Sequence, residues 1–69
     1  MIFFNKTNKE IKALDKEIAY CTERKQNAEY NLLNAVTYAQ TETAKTEIAE
    51  YQARIYRATA RKNTLIYGI

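Results

Sequence analysis

Proline, histidine and tryptophan are absent from the 69 residues, and glycine, cysteine and methionine occur once each. Without histidine the chain lacks the side chain that most often serves general acid–base catalysis at neutral pH. One cysteine and no histidine exclude an intrachain disulfide and offer no plausible zinc set. The lone glycine, Gly68, leaves no glycine-rich loop to cradle phosphates. No apolar run approaches the ~20 residues of a membrane span. The Met1-Ile2-Phe3-Phe4 opening is too short for a signal-peptide core and has no basic residue before it. These absences point to a cytoplasmic protein without enzymatic activity, cofactor or metal, in which Cys21 stays reduced.

Small size adds a second constraint. Below roughly 70–80 residues a single core rarely supplies more than about 3–5 kcal/mol, and disulfides, metal or self-association usually make up the difference. Here the apolar share of 46% includes ten Ala, and the larger aliphatics are seven Ile, four Leu and one Val. With disulfide and metal unavailable, a homo-oligomer is the remaining route. The net charge of +3 is mild for a dedicated nucleic-acid binder. Asn, Lys, Ile, Tyr and Phe, all encoded by AT-rich codons, account for 28 residues, a composition that fits an AT-rich bacterium or a phage.

Nothing between Phe4 and Tyr67 punctuates a helix, so the chain reads as all-α. Thr7 followed by Glu10 has the form of a capping box and predicts a helix start near Asn8. Gly68 predicts the last stop, near Tyr67. Advancing about 100° per residue, Ile11, Leu14, Ile18, Cys21, Ala28, Leu32, Ala35, Val36 and Ala39 share one face. Ile48, Tyr51, Ile55, Ala58 and Leu65 share another, displaced by about a third of a turn. A single rod would change partners midway, whereas an antiparallel helical hairpin lets each helix keep its own phase. Four Thr between residues 37 and 46 form the weakest helical stretch and predict a turn at 39–43. One domain, residues 1–69, then comprises helices over about 8–39 and 44–67. The competing architecture is one unbroken coiled-coil helix.

Residues 11–30 and 48–67 match at an offset of 37, with Ile11/Ile48, Ile18/Ile55, Thr22/Thr59, Arg24/Arg61, Lys25/Lys62 and Tyr30/Tyr67 identical. A two-helix layer leaves one face of each helix wet. The additional row Ala49, Ala53, Tyr56 and Ala60 permits close helix approach, so a dimer forming a four-helix bundle, or a higher ring, is expected. Residues 1–4 are expected to dock within that oligomer.

Cys21 falls in the apolar face, where a thiol is inert packing. Glu42, Glu47 and Glu50 occupy turn and outward positions. The informative side chains are basic and aromatic. Arg54, Arg57 and Arg61 share one helical face, and residues 51–69 hold four basic and no acidic side chains. That face either complements the helix C-terminus and acidic residues of the first helix or contacts phosphates or an acidic protein surface. Lys25 and Lys62 lie inside the apolar faces, each preceded by Arg. With a turn near residue 42 they approach within about one helical turn, so Arg24, Lys25, Arg61 and Lys62 form a candidate anion-binding cluster with Tyr20 or Tyr67 to stack on a base. Snorkelling of the stems or a register-fixing role explains the lysines without a ligand. Six Tyr is a high count of a residue that interfaces favour. Tyr20, Tyr38 and Tyr56, away from the main faces, join Arg54 and Arg57 as candidate partner-binding residues, while Tyr51 reads as core.

The leading functional expectation is a small oligomeric binding protein that blocks or regulates a host or cognate partner protein, such as a phage-encoded inhibitor of a host enzyme or defence system. The alternatives are an anionic-ligand binder, either a nucleotide sponge or a weak nucleic-acid binder, and a coiled-coil scaffold or assembly chaperone.

Overall fold

The computed structural model describes residues 2–68, with side chains from Thr7 onward. Two helices, α1 (Ile2–Leu33) and α2 (Tyr38–Tyr67), account for nearly all of it, and they pack against each other as a hairpin. The molecule measures 55 × 18 × 12 Å, the length of one helix and the width of two. One unbroken helix of this chain would span about 100 Å.

The seam follows a heptad alternation on both helices. On α1 it runs Ile11, Leu14, Ile18, Cys21, Lys25, Ala28 and Leu32; on α2 it runs Thr41, Ala44, Ile48, Tyr51, Ile55, Ala58, Lys62 and Leu65. Every one of these residues is buried or half-buried. Spacings of three and four keep one stripe facing the partner helix. The fully covered members, Cys21, Ala28, Ala44 and Ala58, are all small, which lets the two backbones approach closely.

The connection lies at residues 34–37, earlier than the predicted 39–43. α1 ends where the Asn34 amide donates to Tyr30 O at 3.2 Å and Ala35 N to Leu32 O at 3.2 Å. The Asn34 side chain also donates to Tyr30 O at 2.8 Å. α2 starts from a capping box. Thr37 has extended backbone, its Oγ1 accepts from Gln40 N at 3.1 Å, and Gln40 Oε1 accepts from Thr37 N at 3.2 Å and Val36 N at 2.8 Å. The threonine-rich segment is therefore a helix start and not a break. Thr37 caps it, and Thr41 Oγ1 bonds back to Thr37 O at 3.1 Å. Val36 and Ala39, assigned from phase to the apolar face, are exposed.

The first helix also begins earlier than expected. α1 starts at Ile2, so Thr7 lies inside it and does not cap it, while Glu10 reaches across to Arg61. At the other end, Gly68 takes φ 73° and ψ 23°, and its amide donates to Thr64 O at 2.8 Å. Glycine adopts this left-handed geometry without a Cβ clash. The expected docking of residues 1–4 lies outside the described side chains.

Candidate functional site

Most of the candidate cations are held by the hairpin itself. On one flank of the seam Arg54 grips Glu17: Nη2 donates to both carboxylate oxygens at 2.9 and 3.1 Å, and Nε donates at 3.3 Å. The same guanidinium lies 5.8 Å from the Tyr20 ring centre and 5.5 Å from that of Tyr51. Those two rings meet edge to face at 6.4 Å. Arg61 Nε and Nη2 each lie 2.9 Å from Glu10 Oε1. Further along, a hydrogen bond to the Tyr51 side chain raises the Arg24 pKa, with smaller help from Tyr20 and Glu47. This flank is a row of arginines, two of them ion-paired, with an aromatic centre.

The opposite flank carries the seam lysines. Each amine leaves the apolar seam for a polar group on the other helix: Lys62 Nζ lies 2.6 Å from Asp15 Oδ1, and Lys25 donates to Gln52 Oε1. Snorkelling of this kind keeps an ammonium wet while its stem covers apolar surface.

These pairings reveal what the internal repeat does in three dimensions. Adding 37 to a residue of α1 gives its counterpart on α2. Under that operation the Lys62 and Asp15 pair maps onto Lys25 and Gln52, and the Arg61 and Glu10 pair maps onto Arg24 and Glu47. Glu17 and Arg54 map onto each other. The hairpin thus has an approximate two-fold axis running past Glu17 and Arg54.

The predicted cluster of Arg24, Lys25, Arg61 and Lys62 does not assemble. Its premise, a turn near residue 42 bringing Lys25 beside Lys62, fails because the turn is at 34–37. Asp15, which holds Lys62, and Lys25 are separated by about ten residues of helix, or ~15 Å. The five candidate partner-binding residues are also dispersed. Tyr20 and Arg54 belong to the aromatic–ionic cluster. Arg57 is exposed beside a shallow groove lined by Leu14, Glu17, Arg54 and Ala58. Tyr56 points outward from α2, and Tyr38 stands at the hairpin tip.

Around Tyr38 the structure exposes Tyr30 and Leu33, which the periodicity argument passes over, together with Val36, which it places on the apolar face. Leu33, Val36 and Tyr38 are each more than four-fifths exposed, and Tyr30 is about two-thirds exposed. Three large apolar residues within six positions, Leu33, Val36 and Tyr38, are the signal the sequence offers for them. Cys21 is fully covered, and burial pushes its thiol pKa up, opposed by Arg54 and reinforced by Glu17. Among the described residues no group of three His, Cys, Asp or Glu is placed to hold a metal ion. No described helix is long and apolar enough to cross a membrane. Set against known proteins, the chain matches no family model, no curated protein and no solved structure.

Proposed function

We propose that this chain is a non-enzymatic, self-associating helical hairpin that acts by occupying an apolar surface of a partner protein, as a blocker or regulator. One observation carries the reading: the tip presents Tyr30, Leu33, Val36 and Tyr38 to solvent on a connection fastened by two sets of capping hydrogen bonds. Apolar side chains grouped in this way mark protein-interaction sites, and a preformed loop loses little entropy on binding. A phage-encoded inhibitor of a host enzyme or defence system is a protein of this kind, and the AT-rich composition is in keeping with it.

The anion-binding alternative has less support. Arg54, Arg61 and Lys62 face carboxylates and Lys25 donates to Gln52, while Arg24, beside Tyr51, has no ion pair among the described residues. A ligand phosphate would have to displace the partners of the other four.

The test is affinity capture from an AT-rich bacterial host with wild type and a Leu33→Ser/Val36→Ser variant. Both side chains are exposed, so the variant should keep its helicity and melting temperature. A defined protein retained by wild type and lost by the variant supports the reading; equal recovery by both, or none by either, overturns it.

A further inference from the structure

The outward faces of the two helices differ in kind. Directly away from the seam, α1 presents Lys9, Lys12, Lys16 and Glu23 along most of its length, all exposed, with the large apolar Tyr30 and Leu33 only at its tip end. The corresponding face of α2 steps alternately by three and four from Ala39 to Tyr67, with Ala49, Ala53, Tyr56 and Ala60 at its centre and the polar Glu42, Thr46 and Asn63 towards its ends; both tyrosines are about two-thirds exposed. It is a second heptad seam without a partner helix.

We infer that a second copy of this chain covers that face, with α2 lying antiparallel to α2 of the other copy about a two-fold axis at Ala53. The inference rests on the self-association in the proposed function and specifies its surface. Three observations select this occupant. First, the chain exposes 5489 Å², about 1,000 Å² more than a compact protein of this mass, and a stable interface covers roughly 800 Å² per partner. Second, a two-fold interface must be complementary to itself, and this row is. Read against its own reverse about Ala53, Tyr56 falls opposite Ala49 and Tyr67 opposite Ala39, a large residue against a small one each time. The row's single charge, Glu42, falls opposite Asn63.

Third, charge agrees. The register is the one α1 and α2 already use with each other, and it places Glu50 of each copy beside Arg57 of the other on one flank. Neither residue has an ion-pair partner within its own chain among the described residues. On the other flank Lys45 meets Thr59 and Gln52 meets Gln52, so no like charges face each other. Two of the five dispersed partner-binding candidates, Tyr56 and Arg57, thereby acquire one role.

The test combines solution mass with cross-linking in the full chain. Light scattering should give twice the chain mass. Under mild oxidation Ala53→Cys should form a disulfide-linked dimer, while wild type, whose one thiol is buried, and Glu23→Cys on the α1 face should not. Reversal of one charge, Glu50→Arg, should weaken the dimer about tenfold, because two pairs change at once, and the double variant E50R/R57E should restore it. A monomer at every concentration overturns self-association altogether. A dimer that cross-links through Glu23→Cys and not Ala53→Cys overturns this face alone, leaving both self-association and the tip reading standing. A dimer indifferent to the Glu50 reversal overturns the register.

Discussion

Glu17 and Arg54 meet at the one level where the internal repeat maps the hairpin onto itself, with Arg54 Nη2 2.9 Å from Glu17 Oε1. Every other repeated pair could form equally well between two copies of the same helix. At this level two α1 helices would bring Glu against Glu, and two α2 helices Arg against Arg. Only α1 with α2 gives opposite charges, so this pair discriminates the hairpin from associations of like helices.

Reversal of either charge should therefore destabilise the fold. Both side chains are 38% exposed, so the ion pair itself contributes no more than about 1 kcal/mol. Glu17→Arg should lower Tm by about 4–8 °C, the shift expected for ~1 kcal/mol in a chain of this size. Arg54→Glu should cost more, because it also removes the guanidinium from Tyr20 and Tyr51. The double reversal should recover the electrostatic part and leave the loss of those ring contacts. Thermal melts followed by circular dichroism read all three; a double variant no more stable than Arg54→Glu would show that the pairing contributes nothing.

The Thr37 cap gives a second prediction. Its hydroxyl accepts the Gln40 amide, and the Gln40 side chain accepts two amides of the connection. Thr37→Ala should cost about 1 kcal/mol and lower Tm by a few degrees, whereas Thr37→Ser keeps the acceptor and should change little. Thr43→Ala serves as control, since Thr43 sits within the turn that low helix propensity predicts. A loss at Thr43→Ala as large as at Thr37→Ala would place the turn back at 39–43.

Cys21 supplies a pH dependence with a definite sign. Burial raises its pKa above the ordinary 9.0, so the folded state holds the thiol proton more tightly than the unfolded state does. The resulting stabilisation is complete below about pH 9 and disappears as pH rises through the folded value. Cys21→Ala lacks it. Urea midpoints measured from pH 8 upward should therefore fall more steeply for wild type than for Cys21→Ala. Parallel curves would contradict the burial effect. At pH 8.5 iodoacetamide should label native Cys21 far more slowly than the unfolded chain.

The seams are legible in the sequence because heptad spacing survives whatever the loop does, and phase alone assigns Ile18, Cys21, Ile48 and Ile55 to them. The turn is not. Low helix propensity in the threonine-rich stretch suggests a break, but Thr37 with Gln40 three residues on is a start signal, and Asn34 just before it is a stop. Moving the turn by about five residues slides one helix past the other by about twice that many, because one arm lengthens as the other shortens. That shift separates Lys25 from Lys62 and replaces a cationic cluster with two individually satisfied lysines. The repeat, visible as six identities, acquires physical meaning only when the ion pairs show which residues face each other.

The seam lysines carry the last prediction. An ammonium at a seam position lowers stability but restricts register and association state. Lys25 and Lys62 occupy equivalent places in the repeat, yet Lys62 answers a carboxylate on Asp15 and Lys25 only the amide of Gln52. Lys25→Leu should therefore raise Tm, exchanging a neutral hydrogen-bond acceptor for apolar burial. Lys62→Leu should raise it less, because Asp15 loses its counter-charge. Both variants remove a constraint on which helices pair, so each should broaden the mass distribution in light scattering, and the double Leu variant more so. If Lys25→Leu lowers Tm, the bond to Gln52 outweighs the burial gained. If both variants keep a single sharp mass, register is held by the flanking pairs such as Glu17 with Arg54, and the lysines only snorkel.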